Sequence, residues 1–196
     1  MIEAGPARVE VVALSRDVLD GVLIDSEHAP RRHRCDLGVL PLFSDDRPLR
    51  GLAGFVDWRT SGALSRLVRS GFCDGVRDEA VLLPGRRTLP AARWVLLGLG
   101  AVGGYAAGGS DDAVAHAAAR IVDVVSGIGP RDVLLAMPGP AADRAVVESL
   151  LRGVAAKLSE TASSEAPAVP WWVVASERHV ARLRSVLEGP PRAADD

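Results

Sequence analysis

Between Asp36 and Phe43 the chain is an almost unbroken apolar run, and the residues after it change period. A run so short and so continuously apolar suits a strand covered on both faces better than one with a wet side. Ser44, Asp45 and Asp46 break it with turn residues, and Pro48 sits where a first helical turn tolerates proline. From there Leu49, Leu52, Ala53, Val56, Thr60, Ala63, Leu64, Leu67 and Gly71 recur at spacings of three and four, the stripe of a helix that docks on a sheet. Thr60-Ser61-Gly62 lowers helix propensity in the middle of that stripe, so a bend between two helices is part of the reading. A strand buried on both faces needs further strands at its edges and helices above and below it.

The rest of the chain supplies them. Val9–Leu14 reads as a first strand, and residues 15–34 as a turn, a short apolar piece at Val22–Ile24 and a polar loop. Glu79–Pro84 and Arg93–Gly98 are strands close enough to form a hairpin, which makes the sheet mixed. Val114, Ala117, Ala118, Ile121, Val122 and Val125 mark a helix over 111–127, with Ser110 as N-cap and Asp111 and Asp112 at the positive end of its dipole. Asp132–Met137 is a buried-type strand, followed by a helix to about Leu158, a polar loop, a last strand at Trp171–Ala175 and a helix capped by Ser176. The expected fold class is α/β, a three-layer α/β/α sandwich around a mixed sheet of about six strands. Residues 1–188 form one domain, with a disordered tail at 189–196.

Charge and cysteine content narrow the function classes. The net charge is −2, so no global basic field favours nucleic acid, although nearly all the positive charge is arginine and Lys157 is the sole lysine. Arg31, Arg32, Arg34, Arg47, Arg50, Arg66, Arg69, Arg86 and Arg87 are scattered among acids, and nucleic acid is not the expected partner. Cys35 and Cys73 read as reduced thiols, no signal peptide opens the chain and no apolar run reaches the length of a membrane span, so a cytoplasmic location is expected.

The candidate sites are few. Gly98, Gly100 and Gly103 form G-x-G-x-x-G after a strand, but the glycines run on into Gly104 rather than into a helix, so the dinucleotide context fails. Backbone amides there and at Pro138-Gly139-Pro140 make Gly98, Gly100, Gly103, Gly104 and Gly139 the anion-binding candidates. His28, Arg31, Arg32, His33 and Arg34 are a solvated loop or an anion or partner patch, and His28 and His33 with Cys35 and Asp36 do not make a metal-ligand set. Phe55 and Trp58 project off the helical stripe; either a neighbouring element covers them or they belong to an interface. No serine sits in a G-x-S-x-G elbow, and His116 and His179 read as surface or capping residues. No catalytic residue, metal or cofactor is expected.

The segment LPLFSDDRPLRGLAGFVDWRTSGALSRLVRSGFCDG, then EAVLLPGRRTLPAARWVLLGLG, the helix AVAHAAARIVDVV and the strand DVLLAMPG together resemble the N-terminal domain of the leucyl aminopeptidase family over roughly residues 35–158. The resemblance implies a macro-domain-like sandwich that is not the half of the enzyme that does chemistry. Members continue into a domain with a dinuclear site of Asp, Glu and Lys and an Asn-Thr-Asp-Ala-Glu-Gly-Arg motif, neither of which occurs here. The expected function is therefore a non-catalytic interaction or regulatory module that self-associates or docks on a partner protein, an aminopeptidase among the candidates. The alternative is macro-domain-like binding of ADP-ribose or another phosphorylated ligand at the Gly98–Gly104 and Pro138–Pro140 turns.

Overall fold

The computed structural model describes residues 2–4, 7–23, 31–32, 34–105, 111–138, 143–161 and 169–188. In chain order its elements are β1 (Ile2–Ala4), β2 (Ala7–Ala13), α1 (Arg16–Leu19), β3 (Val22–Leu23), β4 (Arg31–Arg32), β5 (Cys35–Phe43), α2 (Gly51–Arg59), α3 (Ala63–Arg69), β6 (Ala80–Pro84) and β7 (Ala91–Gly100). A 3-10 turn (Val102–Tyr105), α4 (Asp111–Ile128), β8 (Val133–Ala136), α5 (Arg144–Glu160), β9 (Val169–Ala175) and α6 (Glu177–Glu188) complete it. The main sheet runs β1-β2-β9-β8-β5-β7-β6. The four inner pairings from β2 to β7 are parallel and the two outer ones antiparallel. The mixed sheet expected from sequence is present, with the three-residue β1 as a further edge strand.

Sequence dictates which pairs are which. Gly85–Pro90 is too short for a crossover, so β6 and β7 can only be antiparallel, with Ala80 opposite Leu97 and Pro84 opposite Arg93. α4, α5 and the α2–α3 unit supply the long connections that parallel pairing requires. β5 is central and its side chains divide between two cores. Leu37, Val39 and Phe43 join Ile121 of α4, Leu150 and Leu151 of α5 and Leu183 of α6 on one face. Leu40 and Leu42 join Leu52 and Val56 of α2 and Leu64 of α3 on the other, with Trp94 and Leu96 of β7.

The helical stripe of 49–71 does break. Thr60 turns its hydroxyl back to the carbonyls of Val56 (2.7 Å) and Asp57 (3.1 Å), and Ser61 and Gly62 take φ of 57° and 78°. Glycine takes the second of these left-handed positions without the Cβ clash that Ser61 carries at the first. α3 restarts because the Asp57 carboxylate accepts from the Ser65 amide at 2.9 Å and the Ser65 hydroxyl at 2.6 Å. Residues 31–32, read from sequence as loop, pair with Val22–Leu23 as a separate two-stranded ribbon. His28, His33, Ser110 and the tail at 189–196 lie outside the described residues.

Candidate functional site

The direction of the crossovers creates a crevice at the carboxyl ends of the parallel strands. β5 leads to α2 on one face of the sheet, whereas its neighbour β8 leads to α5 on the opposite face. The chain diverges there and leaves the strand ends uncovered, the usual ligand position in open α/β sheets. β9 likewise leads to α6, on the α5 side. The opening between these departures is a cleft of about 560 Å³, floored by Leu14, Met137, Val174 and Ala175 and walled by the first turns of α2, α5 and α6. A much smaller recess at the end of β5 shares Arg50 and Met137 with it.

Three helix N-termini therefore converge on one space. Each carries unpaired backbone N–H groups and partial positive charge. Neither Arg50 before α2 nor Asp143 before α5 makes a side-chain cap, so the first amides of both helices stay free of protein acceptors from their caps. The side chains add to that field: Arg50, Arg144, Arg178 and His179 line the cleft against one carboxylate, Asp143. Arg50 and Arg178 have no side-chain hydrogen bond or ion pair among the described residues. Arg144 is held at the rim by Glu148, one turn along its own helix, at 3.3 Å. Glu148 is itself buried and accepts from Nε and Nη2 of Arg182 at 3.1 and 3.4 Å, which ties α5 to α6. Arg144 and Arg178 stand in first turns, where positive charge opposes the helix dipole, and Arg50 is the N-cap residue of α2. Only α6 offsets its arginine with a first-turn acid, Glu177, so the pattern is a local inconsistency of the kind found at functional sites. That was the signal available in the sequence; Arg50 stands there among scattered arginines, and His179 reads as a capping residue.

The arrangement suits an anion and little else. His179 Nδ1 lies 3.1 Å from Ser176 Oγ, a contact between residues three apart at the start of α6. Nε2 of that ring has no partner among the described residues, so none of them orients it as a base. The dinuclear metal chemistry of the family that the sequence resembles does not fit these donors. Among the described residues no group of three or more His, Cys, Asp or Glu could hold an ion, and an arginine-lined cleft repels one. The thiols are not nucleophiles either. Burial, reinforced by Asp132, drives Cys35 far above the ordinary thiol range, and burial together with Glu79 pushes Cys73 up to about 11. No helix among the described residues is long and apolar enough to cross a membrane.

The glycines of the G-x-G-x-x-G run have another use. Gly98 is inside β7 and donates its N–H to the Glu79 carbonyl at 2.8 Å, Gly100 donates to Gly75 at 2.9 Å, and Gly104 to Ala101 at 3.0 Å. Between them Val102 donates to Asp45 Oδ1 at 2.8 Å. With those amides occupied, and Gly103 standing clear in the 3-10 turn, none of the four glycines lines the cleft. Gly139 lies outside the described residues, although Met137 and Pro138 just before it do line the cleft. Phe55 is half-buried against the α2 core, whereas Trp58 is 72% exposed. Their ring centroids are 6.1 Å apart, and the Arg59 guanidinium lies 5.0 and 5.6 Å from them. His116 bonds Asp78 at 2.6 Å on the surface.

Residues 39–162 match the model of the cytosol aminopeptidase family, N-terminal domain. No curated protein matches the sequence. Among solved structures the chain is similar to a mutant of tomato leucine aminopeptidase at 13% identity and a TM-score of 0.56, with 96% of this chain covered but only 36% of the tomato chain. It is similar to the Oceanobacillus iheyensis macrodomain with ADP at 12% identity and a TM-score of 0.57, covering 80% of this chain and 84% of that one. The Trypanosoma brucei macrodomain in complex with ADP-ribose matches at 16% identity and a TM-score of 0.56, over 80% of this chain and 64% of that one. At such identities the likeness is one of fold, and the fold is macro-domain-like.

Proposed function

Because the chain belongs to the cytosol aminopeptidase family through that family's N-terminal domain, we propose that it is a non-catalytic binding module whose cleft takes a phosphorylated small molecule of the nucleoside diphosphate class, ADP-ribose included. The observation that carries this is the meeting of three helix N-termini with two arginines, Arg50 and Arg178, that have no side-chain partner among the described residues, in one cleft. Helix N-termini hold phosphate through backbone N–H groups, and the guanidinium fork matches two phosphate oxygens at once. A volume of about 560 Å³ is within the range that encloses a small organic ligand. The neighbours solved with ADP and with ADP-ribose support the ligand class. Their binding residues are not carried over.

Calorimetric titration with ADP-ribose, ADP and inorganic phosphate tests the reading. Saturable heat is expected with both diphosphates, weakened about tenfold or more in Arg50→Glu and in Arg178→Glu, a loss of roughly 1.4 kcal/mol or more. Absence of both heat and thermal shift with either diphosphate at millimolar concentration removes it. Hydrolysis of a leucyl amide by the purified chain would overturn the non-catalytic part.

A second reading, docking on a partner protein, is favoured by one observation, the exposed Trp58 with Arg59 stacked beside it. Aromatic and arginine side chains are the residue types that dominate protein contacts. Trp58→Ala should then abolish capture of the partner while leaving the melting temperature and nucleotide titrations unchanged; capture unaffected by that change removes the reading.

A further inference from the structure

The outer edge of β6 points to a second site, unrelated to the cleft. Gly98 donates to the Glu79 carbonyl and Gly85 to the Ala92 carbonyl, at 2.8 and 2.7 Å, on either side of the strand. Antiparallel pairing alternates, so Val81 and Leu83 also turn their backbone groups to β7, and Ala80, Leu82 and Pro84 turn theirs to the outer edge, which no strand among the described residues pairs with. Natural edge strands are blunted by charge, bulges or proline. β6 is Ala-Val-Leu-Leu-Pro: it has neither charge nor bulge, its one blunting residue is the terminal Pro84, and Leu82 is 52% exposed.

We propose that this edge pairs with the same edge of a second copy of the chain, antiparallel about a two-fold axis at Leu82, joining the two main sheets into one. The hydrogen bonds are self-complementary. Leu82 exchanges N–H and C=O with Leu82 of the second copy, and the Ala80 N–H of each copy meets the Pro84 carbonyl of the other. The donor that proline lacks leaves only the Ala80 carbonyl to water. The side chains match as well, with Leu82 opposite Leu82, Val81 opposite Leu83 and Ala80 opposite Pro84, all apolar.

Charge selects the occupant and its direction. The strand is preceded by Asp78-Glu79 and followed by Gly85-Arg86-Arg87. Two antiparallel copies bring Asp78 of each against Arg86 of the other, whereas parallel copies would set acids beside acids. Arg86 and Arg87 are exposed and have no side-chain partner among the described residues. Asp78 meets His116 at 2.6 Å and Arg120 at 3.9 Å through Oδ1, and its side chain is still half exposed. A surface complementary to itself under a two-fold operation is the requirement for a closed dimer, and a contact of a single strand belongs to the small, transient class of interfaces.

Sedimentation of the whole chain from micromolar to millimolar concentration, with hydrogen exchange at both ends of the series, tests this. The expected result is a monomer–dimer equilibrium in which the Ala80 and Leu82 amides gain protection with concentration while Val81 and Leu83 are protected throughout. Leu82→Lys, on the solvated face, should abolish the dimer, and Arg86→Glu should weaken it about five- to tenfold by turning two rim attractions into repulsions. A monomer at every concentration overturns the proposal. So does a dimer that survives Leu82→Lys, or one in which the Ala80 and Leu82 amides gain no protection.

Discussion

Replacing Gly98 by alanine sets the structural role of the glycine run against the anion-cradle role that its spacing invites. A Cβ built on Gly98 would lie 1.9 Å from the Val76 carbonyl oxygen and 2.8 Å from the carbonyl carbons of Gly75 and Val76. An ordinary carbon–oxygen contact is about 3.3 Å, so the 75–76 backbone has to withdraw by well over an ångström. It is not free to do so. The Gly75 carbonyl accepts from Gly100 at 2.9 Å, the Gly75 N–H donates to Glu79 Oε2 at 2.7 Å, and the Val76 carbonyl accepts from Glu79 at 3.2 Å. Overpacking of this kind costs about 1–3 kcal/mol, and weakening one of those bonds adds about 1 kcal/mol. Gly98→Ala should therefore lose about 2–4 kcal/mol, which for a chain of this size lowers the melting temperature by about 5–15 °C. Gly103, five residues on, is the internal control. Nothing lies within 4 Å of its Cβ position and its φ is outside the left-handed range, so Gly103→Ala should be neutral or raise stability by up to about 1 kcal/mol. Calorimetry with the two variants side by side decides the matter. A Gly98→Ala melt within about 1 °C of the parent, or equal losses at both positions, would refute the reasoning; a phosphate cradle would instead leave both melts alone and remove ligand heat in both.

Two further outcomes follow from buried polar groups. Glu148→Gln should lower stability by about 1–3 kcal/mol, because the buried carboxylate that bridges α5 to Arg182 is replaced by an amide that accepts less well; an unchanged urea midpoint would show that the bridge contributes nothing. Burial and Glu79 raise the Cys73 thiol from 9.0 to about 11, so folding favours its neutral form. That contribution is whole below pH 9 and is lost as pH rises through about 11. The stability difference between the parent chain and Cys73→Ser should accordingly shrink between pH 9 and pH 11 in urea titrations, and a difference that stays constant would contradict it.

The elements that carry periodicity were legible in the sequence. The doubly buried β5, the α4 stripe through Ile121 and Val125, and the β6–β7 hairpin follow from spacing and loop length alone, since side chains repeat every two residues in a strand and 3.6 in a helix. The break at Thr60-Ser61-Gly62 was visible as weak propensity, but the Asp57–Ser65 contact that restarts α3 was not, because a side-chain cap eight residues away leaves no period.

The candidate site was not legible for a different reason. Arg50, Arg144 and Arg178 stand far apart in sequence, and only the strand order places them together, because α2 leaves the sheet on one face while α5 and α6 leave on the other. By itself the amino-acid sequence determined the layers, the core residues and the family, all of which rest on local patterns of apolar spacing. Tertiary structure alone decided that Gly98 faces a carbonyl rather than a phosphate, that three helix starts share one cleft, and that β6 is an edge strand among the described residues, since each of these depends on which strand lies beside which.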